Sequence, residues 1–231
     1  MRTTITGFAF HARYALQFLV FMVASACWIP PALSQTKIPV GGMVYNYVGH
    51  AYINPTTGSG EVAGYFSSIA GIETPFDGAP SEATAYFTYR SEPLTFTALP
   101  ADVDTALTLL NAGKWHIYFS SNPASSPTSW ADPASFSQGQ LVADLDHTAL
   151  QIVSSGPVHQ AVFSGELLAS YDFVYAGRTI NFAQFFPNGI TNFGSATNTL
   201  VQGGAPGFPI VFADAGWAVA KGHTVAGQTN E

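Results

Sequence analysis

The sequence contains one cysteine, Cys27, and few charged residues. A single thiol cannot close a disulfide within the chain, and zinc sites built from several cysteines are excluded. Asp, Glu, Lys and Arg make up only 9% of the 231 residues, whereas they account for roughly 25% of an average globular domain. The fold must therefore be stabilised by apolar packing, with little help from crosslinks or ion pairs.

Basic residues are scarcer still, because 7 Lys and Arg face 14 Asp and Glu and give a formal charge of −7. Proteins that bind nucleic acid carry basic patches that neutralise phosphates, so we expect no nucleic-acid partner. Hydrophobic residues make up 47% of the chain and aromatic residues 14%. A disordered chain carries less than this, and the composition therefore predicts a folded domain with a large core.

Residues 1–34 have the pattern of a secretory signal peptide. Arg2 and Arg13 make the first region positive, and residues 14–29 are mostly apolar. This apolar stretch is short for a membrane span, which needs about 20 residues. The segment Ala32-Leu33-Ser34 supplies small residues at the cleavage positions. We therefore predict a signal peptide that is removed after Ser34.

Cleavage there predicts a single exported domain, residues 35–231, that is secreted or periplasmic. Without Arg2 and Arg13 it keeps five basic residues against all 14 acidic ones, a net charge near −9. So few charges leave weak repulsion between copies and permit self-association. We predict no membrane span in this domain, because no second apolar segment of spanning length follows.

Cys27 leaves a second interpretation open. It follows Ala24-Ser25-Ala26, which loosely resembles the lipoprotein signal in which a cysteine is acylated. The large aliphatic residue that usually stands three positions before that cysteine is missing. Cleavage after Ser34 would remove Cys27 and leave a mature chain with no thiol.

Apolar and polar residues alternate with a period of two through most of the remaining sequence, which is typical of half-buried β-strands. The clearest case is Ser81–Ser91, and the longest runs from His159 to Tyr175, where its length predicts a bend or bulge near Ser164-Gly165. Other predicted strands are Met43–Ile53, Glu61–Ile69, Leu94–Leu99, Lys114–Ser120, Gln140–Leu145, Leu150–Val153, Thr179–Ala183 and Pro209–Ala220. About ten strands joined by turn-forming residues predict an all-β fold, a single antiparallel barrel or sandwich.

Residues 101–112 depart from this pattern. Asp102 and Asp104 follow Pro100, and Val103, Ala106, Leu107 and Leu110 recur at helical spacing. Acidic residues in a first turn before such a stripe predict one short helix in this region.

Sequence motifs for common catalytic chemistry are absent. The chain has no Gly-x-Ser-x-Gly, no His-Glu-x-x-His and no phosphate loop ending in Gly-Lys-Ser/Thr. Residues 58–63 fit the looser dinucleotide pattern Gly-x-Gly-x-x-Ala. They open an alternating strand, whereas a dinucleotide site needs the glycines to open a helix. We therefore predict no cofactor.

Asp144 and Asp146 are weak candidates for a metal site. Two residues apart on one strand face, they would lie roughly 6.6 Å apart at about 3.3 Å per residue. That spacing suits a carboxylate pair or a chelate for a hard cation. The ordinary interpretation, a strand end with its polar side in water, is favoured, and we predict no metal.

Five residues are candidates for ligand binding. Glu82, Tyr86 and Arg90 share the polar face of one predicted strand, and would form a polar stripe in a cavity if that face lined a barrel. They are ordinary surface residues if it faces solvent, which we favour. Trp130 and Phe136 lie in a loop over residues 120–137. Such rings either stack on a sugar or apolar ligand or anchor their own loop to the core.

Two functions remain. The favoured one is a noncatalytic secreted module that binds a ligand, such as a glycan or an apolar small molecule, a surface or a second copy. The alternative is a hydrolase or isomerase-type enzyme with an acid/base site in a barrel mouth. Convergence of Arg90, Glu82 and Asp144 with a histidine in one pocket would favour the enzyme, and their scatter over an outer face the module.

Overall fold

The computed structural model describes residues 37–99, 106–110, 113–155, 158–200 and 205–222. Within these ranges the chain forms twelve β-strands. They are β1 (Met43–Asn54), β2 (Ser59–Ile69), β3 (Phe87–Ser91), β4 (Leu94–Leu99), β5 (Ala106–Leu110), β6 (Lys114–Phe119), β7 (Gln140–Ser155), β8 (Val158–Ser170), β9 (Phe173–Tyr175), β10 (Arg178–Ile180), β11 (Ile190–Leu200) and β12 (Ile210–Ala220). Helical structure in these ranges is limited to four short 3₁₀ turns.

The strands close into an eight-stranded antiparallel barrel. β3 and β4 together form one stave and β5 and β6 the next, since β3 pairs with β6 and β4 with β5. β7 pairs with both halves of the second of these staves, and β12 closes the ring on β1. Closure removes the free sheet edges through which β proteins aggregate. The all-β prediction is confirmed, and the barrel is the alternative that the chain adopts.

Aromatic side chains fill one end of the barrel, which we call the plug end. The β9–β10 hairpin and the 3₁₀ turn at Phe182–Gln184 lie across this end. Phe173 packs against Phe87 and Phe119, with ring centroids 5.6 and 5.0 Å apart. Five buried side chains make up the plug: Phe173, Ile180, Phe182, Phe185 and Phe186. Their burial removes a large apolar surface from water and stabilises the closed end.

Residues 120–139, which we call the covering loop, pack on the outer wall of the barrel. Trp130 stacks on His50 with ring centroids 4.0 Å apart and also contacts Phe136 at 4.9 Å. The hydroxyl of Tyr52 donates a hydrogen bond of 3.0 Å to the carbonyl of Trp130, and that of Thr88 one of 2.7 Å to Phe136. The loop is therefore fixed to the wall through both rings and backbone.

The helix predicted over residues 101–112 is wrong where the structure describes it. Residues 106–110 are strand β5, while 101–105 and 111–112 lie outside the described residues. Pairing with β4 on one side and β7 on the other supplies backbone hydrogen bonds along both edges. A helix of this length would be marginal alone, so sheet pairing overrides the helical spacing.

Several strand boundaries also differ from the predictions. The two strands predicted at Gln140–Leu145 and Leu150–Val153 are one strand of 16 residues, β7. The alternation predicted up to Tyr175 breaks after Ser170, where β8 ends. The irregularity predicted near Ser164-Gly165 lies opposite these residues, because the register shifts between His147 and Ala149 of β7.

Strand β11 was not predicted at all. Asn192, Gly194 and Ala196 point into the barrel, while Phe193 points outward and stacks on Trp217 at 4.4 Å. The apolar ring therefore lies on the solvent side of the wall, and polar or small residues lie on the inner side. This arrangement inverts the alternation by which a half-buried strand is recognised.

Candidate functional site

Four glycines on the inner wall form two pairs on neighbouring strands. Gly49 of β1 lies opposite Gly64 of β2, and Gly216 of β12 lies opposite Gly194 of β11. A Cβ atom on Gly49 would overlap the hydroxyl of Tyr89, and one on Gly194 would overlap that of Tyr47. The glycines therefore leave two lanes along the wall in which tyrosine rings can lie.

The two lanes bring both hydroxyls beside one carboxyl group, that of Asp214. The hydroxyl of Tyr89 lies over Gly49, and Gly49 is paired with Asp214 in the β1–β12 register. On the other side, a Cβ atom on Gly194 would lie 3.4 Å from Oδ1 of Asp214. There the Tyr47 hydroxyl donates a hydrogen bond to the Asp214 carboxyl. We call Tyr47, Tyr89 and Asp214 the inner site.

Burial sets the electrostatics of the inner site. It raises the pKa of Asp214 to about 7, although hydrogen bonds from Tyr47 and from the backbone N–H of Ala215 oppose the shift. Burial, followed by the nearby charge of Asp214, raises the pKa of Tyr47 and Tyr89 well above 10. A carboxyl group in this environment is partly protonated at neutral pH, while both phenols keep their protons.

No basic side chain balances Asp214. Five Lys and Arg follow residue 34, and the structure describes all of them: Lys37, Arg90, Lys114, Arg178 and Lys221. Lys37 and Arg178 lie outside the eight staves of the barrel. Lys114 is exposed on the outer wall, and Lys221, which follows β12, contacts Glu166 at 3.3 Å. Arg90 is also on the outer wall, where it pairs with Glu61.

Burial along the inner wall changes at the level of the inner site. Toward the plug end, inward side chains such as Tyr45, Phe66, Asn192 and Ala218 are buried. Beyond the inner site, several inward residues are only half-buried, among them Ala51, Val62, Ala161, Ala196 and Phe212. Solvent therefore reaches the inside of this part of the barrel, which we call the open half. Most of the described side chains on its wall are apolar.

His159 also belongs to the open half. It pairs with Ala196 of β11, and Ala196 in turn pairs with Asp214 of β12. The three residues thus occupy one row across three strands, and the small alanine separates the two titratable groups. The ring of His159 lies 5.8 Å from that of Phe212.

The structure separates Glu82, Tyr86 and Arg90. Strand β3 begins at Phe87, and Glu82 lies in a preceding 3₁₀ turn, where its carbonyl accepts from Thr128. Tyr86 packs on Tyr175, with ring centroids 5.6 Å apart. Arg90 lies on the outer face, where its guanidinium contacts Glu61 Oε2 at 2.9 Å. The three residues do not line the barrel interior, and each has a different neighbour.

Trp130 and Phe136 are the rings that hold the covering loop on the outer wall. Phe136 is buried, and Trp130 is half-buried against His50 and Tyr65. Neither ring projects freely from the loop. Ligand binding by this pair stays a prediction.

Asp144 and Asp146 share the outer face of β7, as the strand pattern predicts. Asp144 Oδ1 lies 2.5 Å from Nδ1 of His116, whose Nε2 lies 3.5 Å from Glu92. Asp146 lies opposite Lys114 in the β6–β7 register. Among the described residues, no group of three His, Cys, Asp or Glu side chains is placed to hold a metal ion.

None of the residues of the inner site was predicted from the sequence. Its signal is present in β12, where Phe212, Asp214, Gly216 and Ala218 share the inner face. One carboxyl and one glycine interrupt an otherwise apolar face, and a glycine in a strand often marks close approach by another group. Only the barrel register shows that the approaching group is a tyrosine from another strand.

Comparisons with protein-family models, with curated proteins and with solved structures find no match to this chain. In the part of the chain that the structure describes, no helix has the length and apolar character needed to cross a membrane.

Proposed function

We propose that this protein is a noncatalytic binding protein whose barrel takes up a small, largely apolar molecule in its open half. The change in burial along the inner wall carries the proposal. Aromatic rings pack one end shut, whereas Ala51, Ala161 and Ala196 line a solvent-reached space at the other. Ligand sites are typically concave, mostly apolar and equipped with few polar groups, and barrel mouths commonly provide them.

A polar atom at the level of the inner site supports the same function. The hydroxyl of Tyr89 is buried, and it makes no hydrogen bond to the described residues. A buried polar group without a partner costs about 1–3 kcal/mol. A polar group on the ligand that reaches this level would recover part of that cost and would orient the ligand.

A paired substitution tests the binding space. Ala196 points into the open half, and Ala215 is exposed on the outer face of β12, so Ala196→Phe fills the space and Ala215→Phe does not. The neutral dye Nile red, followed by its fluorescence, is the probe. We expect saturable binding to the wild type and to Ala215→Phe, and at least about tenfold weaker binding to Ala196→Phe. Equal binding to both variants would contradict the proposal.

The enzyme alternative is favoured by one observation, the carboxyl of Asp214 with its pKa near 7. A group that gains and loses a proton near neutral pH suits general acid/base catalysis. Hydrolysis of p-nitrophenyl butyrate tests the hydrolase form of this alternative. Turnover by the wild type that disappears in Asp214→Asn, with Nile red binding retained, would favour the enzyme over the binding protein.

We also propose that the barrel acts outside the cytoplasm, after export and removal of residues 1–34. The arginines and the short apolar stretch of this segment support export. Mass spectrometry of exported protein should find Gln35 as the first residue. An acylated Cys27 would instead show that the protein is a lipoprotein.

A further inference from the structure

We propose that the open half selects a protonated amine on an apolar body, with Asp214 as its counter-charge. This inference rests on the proposed binding function and names the chemistry of the ligand. Every Lys and Arg after residue 34 lies away from the inner site, yet one carboxyl is enclosed there. A buried carboxylate without a cationic partner is unfavourable, and a cationic ligand would supply that partner.

The hydrogen-bonding groups of the inner site match an ammonium group. An ammonium is a donor only and offers three N–H groups. The Asp214 carboxylate accepts, and the hydroxyl oxygens of Tyr47 and Tyr89 keep lone pairs that can also accept. A carboxylate or phosphate ligand would meet like charge at Asp214. The site is therefore complementary to a cation and unfavourable to an anion.

The rest of the open half suits the apolar part of such a ligand. Phe212 lies two residues before Asp214 on the same inner face and is half-buried, so its ring is available for a cation–π contact. Ala51, Val62 and Ala161 provide apolar wall on the neighbouring strands. Burial of an alkyl chain on such surface contributes about 25 cal/mol per Å².

The pH dependence of amine binding follows from the groups that face Asp214. These are the phenols of Tyr47 and Tyr89 and, along the row through Ala196, His159. The phenols keep their protons, and an alkylamine stays protonated below pH about 10. Asp214 loses its proton as the pH rises through about 7. Amine affinity should therefore rise from pH 5 to pH 8 and then level off, by up to about 100-fold.

Displacement of Nile red by n-octylamine, n-octanol and octanoate tests the proposal. For the wild type at pH 8, we expect half-displacement by octylamine at a concentration at least about tenfold lower than by octanol, and weakest displacement by octanoate. Asp214→Asn should lose the preference for the amine and its pH dependence, so that octylamine and octanol displace the dye at similar concentrations. Asp146→Asn, which removes a carboxyl from the outer face, should behave as the wild type.

The outcomes separate this inference from the proposed function. Equal displacement by octylamine and octanol, or strongest displacement by octanoate, overturns the amine proposal and leaves the binding function standing. Absence of saturable Nile red binding to the wild type overturns the binding function itself. Should Asp214→Asn fail to fold, the ratio of amine to alcohol affinity in the wild type still tests the amine proposal. This ratio should be higher at pH 8 than at pH 5, and an equal ratio would contradict the proposal. His159→Gln removes the other titratable side chain of the open half and should keep the pH dependence, whereas its loss in this variant would contradict the role of Asp214.

Discussion

The outer and inner walls of the barrel differ in whether their carboxylates have basic partners. On the outer wall each of three carboxylates has a cationic or histidine partner, in Arg90–Glu61, His116–Asp144 and Lys221–Glu166. On the inner wall Asp214 has phenol and backbone neighbours but no basic side chain. Balanced pairs serve the fold, whereas an unbalanced buried charge costs stability and is retained where it serves a function.

This contrast predicts that removal of a charged side chain changes the free energy of unfolding in opposite directions at the inner site and on the outer wall. The largest effect is expected for Asp214→Asn. The folded-state pKa near 7 exceeds the unfolded value of about 3.9. Between these values the folded chain keeps a proton that the unfolded chain has lost, so the free energy of unfolding falls as the pH rises from about 4 to about 7. The shift corresponds to about 4 kcal/mol.

Urea unfolding of the wild type and Asp214→Asn at pH 4 and pH 8 measures this effect. The variant cannot titrate at position 214, so its stability relative to the wild type should increase by about 4 kcal/mol between the two pH values. Asp146→Asn serves as the control for loss of a carboxyl on the outer face. A difference between wild type and Asp214→Asn that does not change with pH would show that Asp214 is an ordinary ionised carboxylate.

Substitution on the outer wall should destabilise instead. Glu61 is only 4% exposed and depends on Arg90 for a positive partner at 2.9 Å. Arg90→Met keeps an apolar stem of similar shape but leaves this carboxylate unpaired, which should cost about 3 kcal/mol. The double variant Arg90→Met with Glu61→Gln should recover most of the loss. No recovery would show that Arg90 acts through packing alone.

The difference between the two walls also explains what could be predicted from the sequence. Strands such as β6, predicted at Lys114–Ser120 and found at Lys114–Phe119, follow from side chains that alternate between core and solvent. Strand β11 was not predicted because Asn192 and Gly194, which are not apolar side chains, face inward. A helix was predicted for residues 106–110 because their apolar spacing fits a helix as well as a strand. Their strand conformation is set by pairing with β4 and β7.

The inner site was beyond sequence reasoning for a related reason. Tyr47, Tyr89 and Asp214 come from β1, β3 and β12, and the contact depends on glycines that leave no side-chain signal of their own. Arg90 was a candidate because charged residues are rare in this chain. Its side chain lies on the outer face of β3, where it pairs with Glu61. The register between distant strands, which decides such contacts, is set by barrel closure rather than by local pattern.

The glycine lanes permit a smaller and more specific test. A Cβ atom on Gly194 would overlap only the hydroxyl of Tyr47, since the next atom of that ring lies 3.7 Å away. Gly194→Ala should therefore cost about 2 kcal/mol in the wild type. In a Tyr47→Phe background the same substitution should cost less than about 0.5 kcal/mol, because the overlapping atom is gone.

A double-mutant cycle by urea unfolding measures this coupling, with Ser195→Ala on the exposed face of the same strand as the control. An equal cost of Gly194→Ala in both backgrounds would show that the lane does not hold the tyrosine hydroxyl. The inner site would then lack the geometry that places a phenol beside Asp214.

The smallest effect is expected at the outer pair of His116 and Asp144, although its 2.5 Å contact is the shortest of the three outer pairs. Both side chains are half-buried, with 19% of each exposed, and ion pairs that solvent reaches contribute about 1 kcal/mol or less. His116→Gln keeps a polar group toward Asp144 and should lower the free energy of unfolding by less than about 1 kcal/mol, with Nile red binding unchanged. A loss above about 2 kcal/mol, or a change in dye binding, would mean that the outer wall takes part in the same function as the inner one.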